Sequence, residues 1–378
     1  MGGGSGGHIT PIAAVVSGIK DRYRKTEIRV WCDRKFSDQA RKLLGSSVRV
    51  DVIVSGKWRR YANISLWSKL RYHIFRTYLR NFLDLFKVAF ATIQSYVKLI
   101  IWRPDVIFIK GGFVCLPVGL AARMLKIPIV IHDSDTIPGL TNRILSRFAT
   151  AIGVGSPADN YPNYRKEITK FVGVPVREKI HEYTVEEQKK AKEKLGFDAN
   201  KKLILVVGGG LGAVVINENV VNNTTPMIEN NAQILLVAGK GNVERLNKPE
   251  SKNIKIVEFL SGDYLTALAA GDIVVTRAGA TTMAELSAAG KAVIIVPNKH
   301  LAGDHQTKNA MAYKKSNAAI VVDQDEMEQN PEILADAILK LLNDAKLCGE
   351  LSQNLAKFSR PNALNDIIDM ILRCGRGE

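Results

Sequence analysis

Short apolar runs rich in β-branched residues recur along the whole chain, separated by longer stretches of mixed or helical character. In the second half these runs are LILVV at 203–207, then QILLVAG, IKIVEFL, DIVVT, AVIIVP and AAIVVD; the first half has RVDVIV, DVIFIKGG, PIVIHDSD and ATAIGVG. Runs of this length without alternation suit strands buried on both faces, and their regular spacing with helical stretches between predicts α/β units with parallel sheets.

Two glycine loops punctuate the pattern. LILVVGGGLGAVVINENV is a strand, a loop of Gly208, Gly209, Gly210, Leu211 and Gly212, and a helix. MGGGSGGHITP opens the chain with the same kind of loop, and residues 8–19 predict a helix with an apolar face and His8 at its mouth. Glycines let backbone N–H groups converge on a ligand where a helix begins. GGGSGG also has the composition of a flexible linker, but the helical continuation favours the functional reading. Nothing precedes Gly2 except Met1, so the strand expected before such a loop, the central one of its sheet, is expected to be missing. Two such units about two hundred residues apart predict two Rossmann-like domains facing each other across a cleft.

Residues 277–309 add chemistry. TTMAELSAAG predicts a helix between two strands, stopped by Gly290, so AGATT falls where helix N–H groups favour phosphate. Glu285 lies one turn further in, where a carboxylate can accept both hydroxyls of a ribose, and Gln306 offers an amide to a sugar at the next junction. An ordinary βαβ unit with a polar rim fits the same residues.

Charge is uneven. Residues 1–175 hold 28 Lys+Arg against 11 Asp+Glu, whereas the remainder holds 25 against 26. Residues 57–103 carry ten basic residues, one acid and eleven of the chain's 26 aromatic residues. Phe75, Leu79, Phe82, Phe86, Phe90, Ile93, Val97 and Ile100 recur at steps of three and four, a single helical stripe. Over residues 86–100 this stripe is expected to be the sheet-facing side of a domain helix. Over residues 58–78 the mixed Trp, Tyr, Arg and Lys suit an interfacial patch on an anionic bilayer, with Trp58, Trp67, Arg71 and Phe75 as its contacts. Interleaved aromatic and basic residues also describe a nucleic-acid groove, but no RNP, KH or zinc pattern accompanies them, and no nucleic-acid partner is expected.

At 378 residues the chain fits two domains. Cys32, Cys115, Cys348 and Cys374 show no metal-ligand spacing and read as reduced thiols of a cytoplasmic protein; no signal peptide or spanning segment is expected.

GGGSGGHITP, VVGGGLGA, GGFVCLPVGLAA, IPIVIHDSDTIPGLTNRILSRFAT, VGVPVR and the 277–309 stretch through DHQTKNA together resemble the MurG family, within glycosyltransferase family 28. The resemblance runs over nearly the whole chain and implies an α/β, two-domain GT-B fold. It divides the chain into an amino-terminal acceptor and membrane-facing domain at 1–176, a donor-binding domain at 177–360, and a helix at 361–378 that packs back on the first domain. The implied reaction is an inverting transfer of N-acetylglucosamine from UDP-N-acetylglucosamine to the C4 hydroxyl of the muramoyl sugar of lipid I. It yields lipid II for peptidoglycan at the cytoplasmic face of the cell membrane, by a peripheral enzyme that uses no cofactor and no metal.

Carried over by motif, Ser5, Gly6 and Gly7 match the first loop and His8 the histidine that ends it; Arg177 matches an arginine near the donor diphosphate. Gly210 stands where the family often has serine, Leu260 borders the uracil, Ala280, Thr281, Thr282, Met283, Ala284 and Glu285 match the diphosphate and ribose segment, and Gln306 the sugar-reading amide. One departure touches the mechanism: the family's HEQN is His132, Asp133, Ser134 and Asp135 here. Deprotonating the attacking hydroxyl needs a base in hydrogen-bond reach. His8 and Asp135 are both candidates, His8 the favoured one, because an ionised carboxylate is a weak base unless desolvated. Asp133-Ser134-Asp135 also mimics a metal-binding DxD motif of a different glycosyltransferase fold. A GT-B transferase with another lipid acceptor, a UDP-sugar 2-epimerase, and a non-enzymatic basic membrane or nucleic-acid scaffold remain the alternatives at this point.

Overall fold

The structure is a computed structural model describing the chain except residues 4–5, 57–73, 177–178, 210–211, 248, 250, 261, 300–303 and 378; the side-chain surroundings of 6–7 and 74–80 are also outside the description. Trp58, Trp67, Arg71, Ser5, Arg177 and Gly210 therefore lie outside the described residues, as do the side chains of Gly6, Gly7 and Phe75. Two compact units divide the chain, one of residues 1–176 with 360–378 and the other of 177–359.

In the first unit β1 (Arg29–Cys32) pairs with β2 (Arg49–Val52), and β3 (Ile107–Ile109), β4 (Ile129–Asp133), β5 (Ala151–Val154) and β6 (Thr169–Phe171) form a second sheet, all parallel. Residues Met1–Gly3 lie between β1 and β3. Gly2 N–H donates to Trp31 O at 3.4 Å, Lys110 N–H donates to Met1 O at 2.9 Å, and Gly3 N–H donates to Gly111 O at 3.3 Å. These three residues thus make ladder bonds where the sequence pattern calls for the end of a central strand, and the chain then enters the helix Gly6–Arg22. Val15 and Ile19 of that helix share a core with Val130 of β4 and with Ile367, Ile368 and Ile371 of the carboxyl-terminal helix Ala363–Arg376.

The long helix Ile74–Ile101 corrects the expectation for its apolar stripe. The stripe does not face the sheet: Phe86 is 58% exposed and Ile93 64%, and Phe82, Phe90, Val97 and Ile100 are exposed too. The face turned inward carries Asn81, Asp84, Ala91, Ser95 and Leu99, all buried, with Ala91 and Leu99 in the core shared with the helix Cys115–Met124. Close approach explains the inversion. A Cβ on Gly56 would stand 2.3 Å from the Asp84 carbonyl oxygen, so this side of the helix accommodates small and hydrogen-bonded groups rather than phenylalanines. Among the described residues no helix is long and apolar enough to cross a membrane.

The second unit carries a six-stranded parallel sheet in the order β12-β11-β10-β7-β8-β9. Its strands are β7 (Lys202–Val207), β8 (Ala232–Val237), β9 (Ile254–Val257), β10 (Ile273–Thr276), β11 (Ala292–Ile295) and β12 (Ile320–Val321). Side-chain alternation along β7 splits its core in two. Ile204 and Val206 pack with Ile216, Val220, Leu334 and Ile338, while Leu203, Leu205 and Val207 pack with Leu268, Met283 and Leu286 on the other face. Helices on both faces explain why β8, β10 and β11 are mostly apolar with every residue buried, Gln233 and Thr276 being their polar members. The strand order is the doubly wound one, and it reverses between β7 and β10.

Candidate active site

In the first unit, the carboxyl ends of β1, β3 and β4 and the mouth of the first helix bring five ionisable groups to one centre: His8, Asp33, Lys110, Asp133 and Asp135. His8 is the third residue of its helix, and its Nδ1 lies 2.7 Å from the Gly3 carbonyl oxygen. A carbonyl only accepts, so Nδ1 carries the hydrogen and the neutral ring keeps its lone pair on Nε2. Burial lowers the His8 pKa, and the Lys110 charge lowers it further against the Gly3 bond and the charges of Asp135 and Asp33. At neutral pH the ring is therefore uncharged, as a general base must be. Gly112 makes this packing feasible: its φ is +95°, and a Cβ there would lie 2.0 Å from Gly3 O and 3.1 Å from His8 Nδ1.

Lys110 directly follows β3, is 3% exposed, and donates from Nζ to Ser134 Oγ at 2.5 Å. Burial lowers its pKa, opposed chiefly by Asp133 and Asp135. The 132–135 segment is held residue by residue. His132 donates from Nε2 to Gly173 O at 2.7 Å and is driven well below its ordinary pKa by burial, so it is a neutral core group. Asp133 accepts from Asn142 Nδ2 at 3.1 Å and Tyr164 OH at 2.9 Å, and burial raises its pKa to about 6 despite Lys110. Tyr161 OH donates to the Asp135 carbonyl at 2.6 Å. Lys110, Asn142, Tyr161 and Tyr164 went unnoticed in the sequence. Only Lys110 left a signal, a charge directly after an apolar strand. Among the described residues no group of three or more His, Cys, Asp or Glu is placed to hold a metal.

In the second unit, the loops after β7 and β10 flank the point where strand order reverses, the usual place for a ligand in an open α/β sheet. The first turns tightly into the helix Val214–Asn222: Gly212 has φ +75°, and a Cβ on it would stand 1.9 Å from Ala238 O. The second, 277–279, is fastened by Asn309 Nδ2 donating to Ala278 O at 3.0 Å. Arg277 belongs to the scaffold, donating to Val296 O at 2.9 Å and Gln324 Oε1 at 2.8 Å, with its pKa lowered to about 10 by burial.

The helix Ala280–Ala288 follows with no side-chain cap, so its first N–H groups at Ala280, Thr281 and Thr282 remain for a ligand or water. The side chains of these three and of Ala284 are part-exposed, whereas Met283 is wholly buried in the core. Glu285, 5% exposed, accepts a 2.6 Å hydrogen bond from Tyr264 OH. Gln306 accepts from Asn298 N–H through Oε1 at 2.9 Å, which leaves its NH₂ as the donor side. Leu260, just after β9, packs partly buried on the core shared by Met283 and Leu286.

Residues 1–154 match the glycosyltransferase family 28 N-terminal domain and residues 203–367 the glycosyltransferase family 28 C-terminal domain. Over 372 residues, 98% of this chain and 96% of the relative, the chain is 33% identical to a Clostridium perfringens protein named UDP-N-acetylglucosamine--N-acetylmuramyl-(pentapeptide) pyrophosphoryl-undecaprenol N-acetylglucosamine transferase. The chain belongs to glycosyltransferase family 28. Among solved structures, this family 28 chain is similar to Acinetobacter baumannii MurG with a TM-score of 0.70 at 24% identity, covering 97% of this chain and 96% of that one. It is also similar to a putative UDP-N-acetylglucosamine 2-epimerase from Listeria monocytogenes, with a TM-score of 0.66 at 12% identity and coverage of 99% and 95%. Both likenesses concern the fold: family 28 shares the α/β GT-B architecture with enzymes of other chemistry, so the reaction has to be argued from residues and sequence.

Proposed function

We propose that the chain transfers N-acetylglucosamine from UDP-N-acetylglucosamine to the C4 hydroxyl of the muramoyl sugar in lipid I, giving lipid II. The observation that carries this reading is the 33% identity, continuous over 98% of the chain, to a relative named for that transfer. In this reading the second unit holds the donor. Backbone N–H groups of the glycine loop after β7 and of the first turn of the helix Ala280–Ala288, joined by Arg177, meet the diphosphate; Glu285 accepts the ribose hydroxyls, Leu260 borders the uracil, and Gln306 reads the sugar. The first unit supplies the base. His8 Nε2 takes the C4 hydroxyl proton as that oxygen bonds to the anomeric carbon, the bond from that carbon to the UDP oxygen breaks, and UDP leaves with inverted configuration at the sugar. The neutral, Nδ1-protonated state of His8 supports giving this role to the imidazole rather than to Asp135.

Docking of the first unit on the anionic cytoplasmic face of the membrane is part of the same proposal. It is supported by the exposed Phe82, Phe86, Phe90, Ile93, Val97 and Ile100 stripe, which continues in sequence from Trp58, Trp67, Arg71 and Phe75. Incubation with radiolabelled UDP-N-acetylglucosamine and lipid I tests the reaction. Label should pass to the lipid phase. Release of UDP and free sugar without a lipid acceptor would instead mark a 2-epimerase, and no turnover of the donor would sink both.

A further inference from the structure

Glu285 alone does not account for a fixed ribose site. A glutamate on a helix has three rotatable bonds, and accepting two adjacent hydroxyls requires its carboxylate plane to be set beforehand. In this chain the setting is done from a neighbouring element. Tyr264 is the first residue of the helix Tyr264–Ala270, and its OH donates to Glu285 Oε2 at 2.6 Å, within the short range of hydrogen bonds from hydroxyl to carboxylate. The tyrosine is itself anchored: its ring packs on the core that also takes Leu260, Met283 and Leu286, the residues bracketing Glu285 on one side and the 258–260 turn on the other. An apolar side chain would satisfy that packing equally well, so it is the hydroxyl that calls for an explanation. With Glu285 only 5% exposed, a carboxylate in this place also gains from a fixed donor that offsets its desolvation.

We propose that Tyr264 is a positioning residue for ribose recognition, holding the Glu285 carboxylate in the orientation that distinguishes a ribonucleotide donor from its deoxy analogue. This inference rests on the reading of Glu285 as the ribose acceptor. It predicts that the tyrosine hydroxyl contributes to selectivity at the sugar hydroxyls rather than to overall nucleotide affinity.

The test is calorimetric binding of UDP, 2′-deoxy-UDP and 3′-deoxy-UDP to the full-length chain, its Tyr264→Phe variant and its Glu285→Gln variant. The ratio of two affinities within one variant cancels any difference in folded fraction, so a purely structural effect leaves it unmoved. The unsubstituted chain should prefer UDP. Tyr264→Phe should narrow that preference about three- to tenfold, with 2′-deoxy-UDP binding little changed. Glu285→Gln should narrow it too, and adding Tyr264→Phe to it should narrow it no further. A preference that survives intact in Tyr264→Phe while falling in Glu285→Gln overturns the role of Tyr264 and leaves the ribose reading standing. Absence of any preference in the unsubstituted chain overturns the ribose reading, and this inference with it.

Discussion

The two units present the same end of the same kind of sheet, yet they fill it differently. At the first, ionisable groups crowd together: Lys110 and Asp133 are buried, and the pKa values of His8, Lys110 and Asp133 are shifted by burial and by neighbouring charges, that of Asp135 among them. At the second, the corresponding loops are glycine-rich backbone, the nearby arginine Arg277 is turned into the scaffold, and Glu285 is the buried acid, tied to a tyrosine. Proton transfer needs groups whose pKa can be set by neighbours, whereas holding a diphosphate needs fixed N–H dipoles that do not titrate. In the proposed reading, one kind of fold serves either purpose, according to what is mounted on its strand ends.

The sharpest break between the two would come from His8→Ala. Turnover should fall about 10²–10⁴-fold, the usual contribution of a general base, while calorimetric UDP binding stays unchanged. A matching loss of UDP affinity would erase the distinction. Glu285→Ala should do the reverse, weakening UDP about 10–100-fold through lost charge-assisted hydrogen bonds. Gly212→Ala probes backbone rather than charge. With φ +75° and a Cβ 1.9 Å from Ala238 O, it should cost about 2 kcal/mol or more in denaturant unfolding.

Phe86→Ser with Phe90→Ser should leave UDP binding intact and weaken binding to anionic vesicles about tenfold, the effect of losing ~1.4 kcal/mol of apolar transfer. Unchanged vesicle binding would detach the stripe from the membrane. The smallest effect concerns pH. His8 is held below the ordinary histidine pKa of about 6.5, so the acid limb of turnover should lie below that value. The folded state binds fewer protons there than the unfolded chain, so its contribution to stability also declines as pH drops through this range. Lys110→Met removes the second cause of the depression and should move the acid limb to higher pH; an unmoved limb would mean that Lys110 has no part in tuning His8.

The second unit was the more legible. Its six strands are legible as apolar-rich runs, the inner ones because both faces of the sheet are covered there, and Gly290, at φ +59°, ends the helix where the pattern called for it. The helix Ile74–Ile101 was legible as a helix but not in its orientation. Periodicity reveals that one face is apolar; it is silent on what covers that face, and here the partner helix took the side with Ala91 and Ser95. His8 stood out because it falls at a helix start beside a glycine loop, and Glu285 because it lies one turn into the helix that follows the 277–279 loop. Tyr161, Tyr164 and Tyr264 did not, since a tyrosine in a turn or at a helix start carries no spacing that says which acid or carbonyl its hydroxyl will meet.

Local order along the chain, then, was determined by sequence alone: strand, glycine loop and helix follow from apolar runs, backbone permissiveness and helix propensity, all of which act over a few residues. The tertiary structure decided the partners. That Lys110 would meet Ser134, Tyr164 the Asp133 carboxylate and Tyr264 that of Glu285 depends on which strand ends and helix faces become neighbours. Those contacts join residues between 21 and 31 positions apart, beyond the reach of any local rule, and burial at them sets the charges on which the chemistry depends.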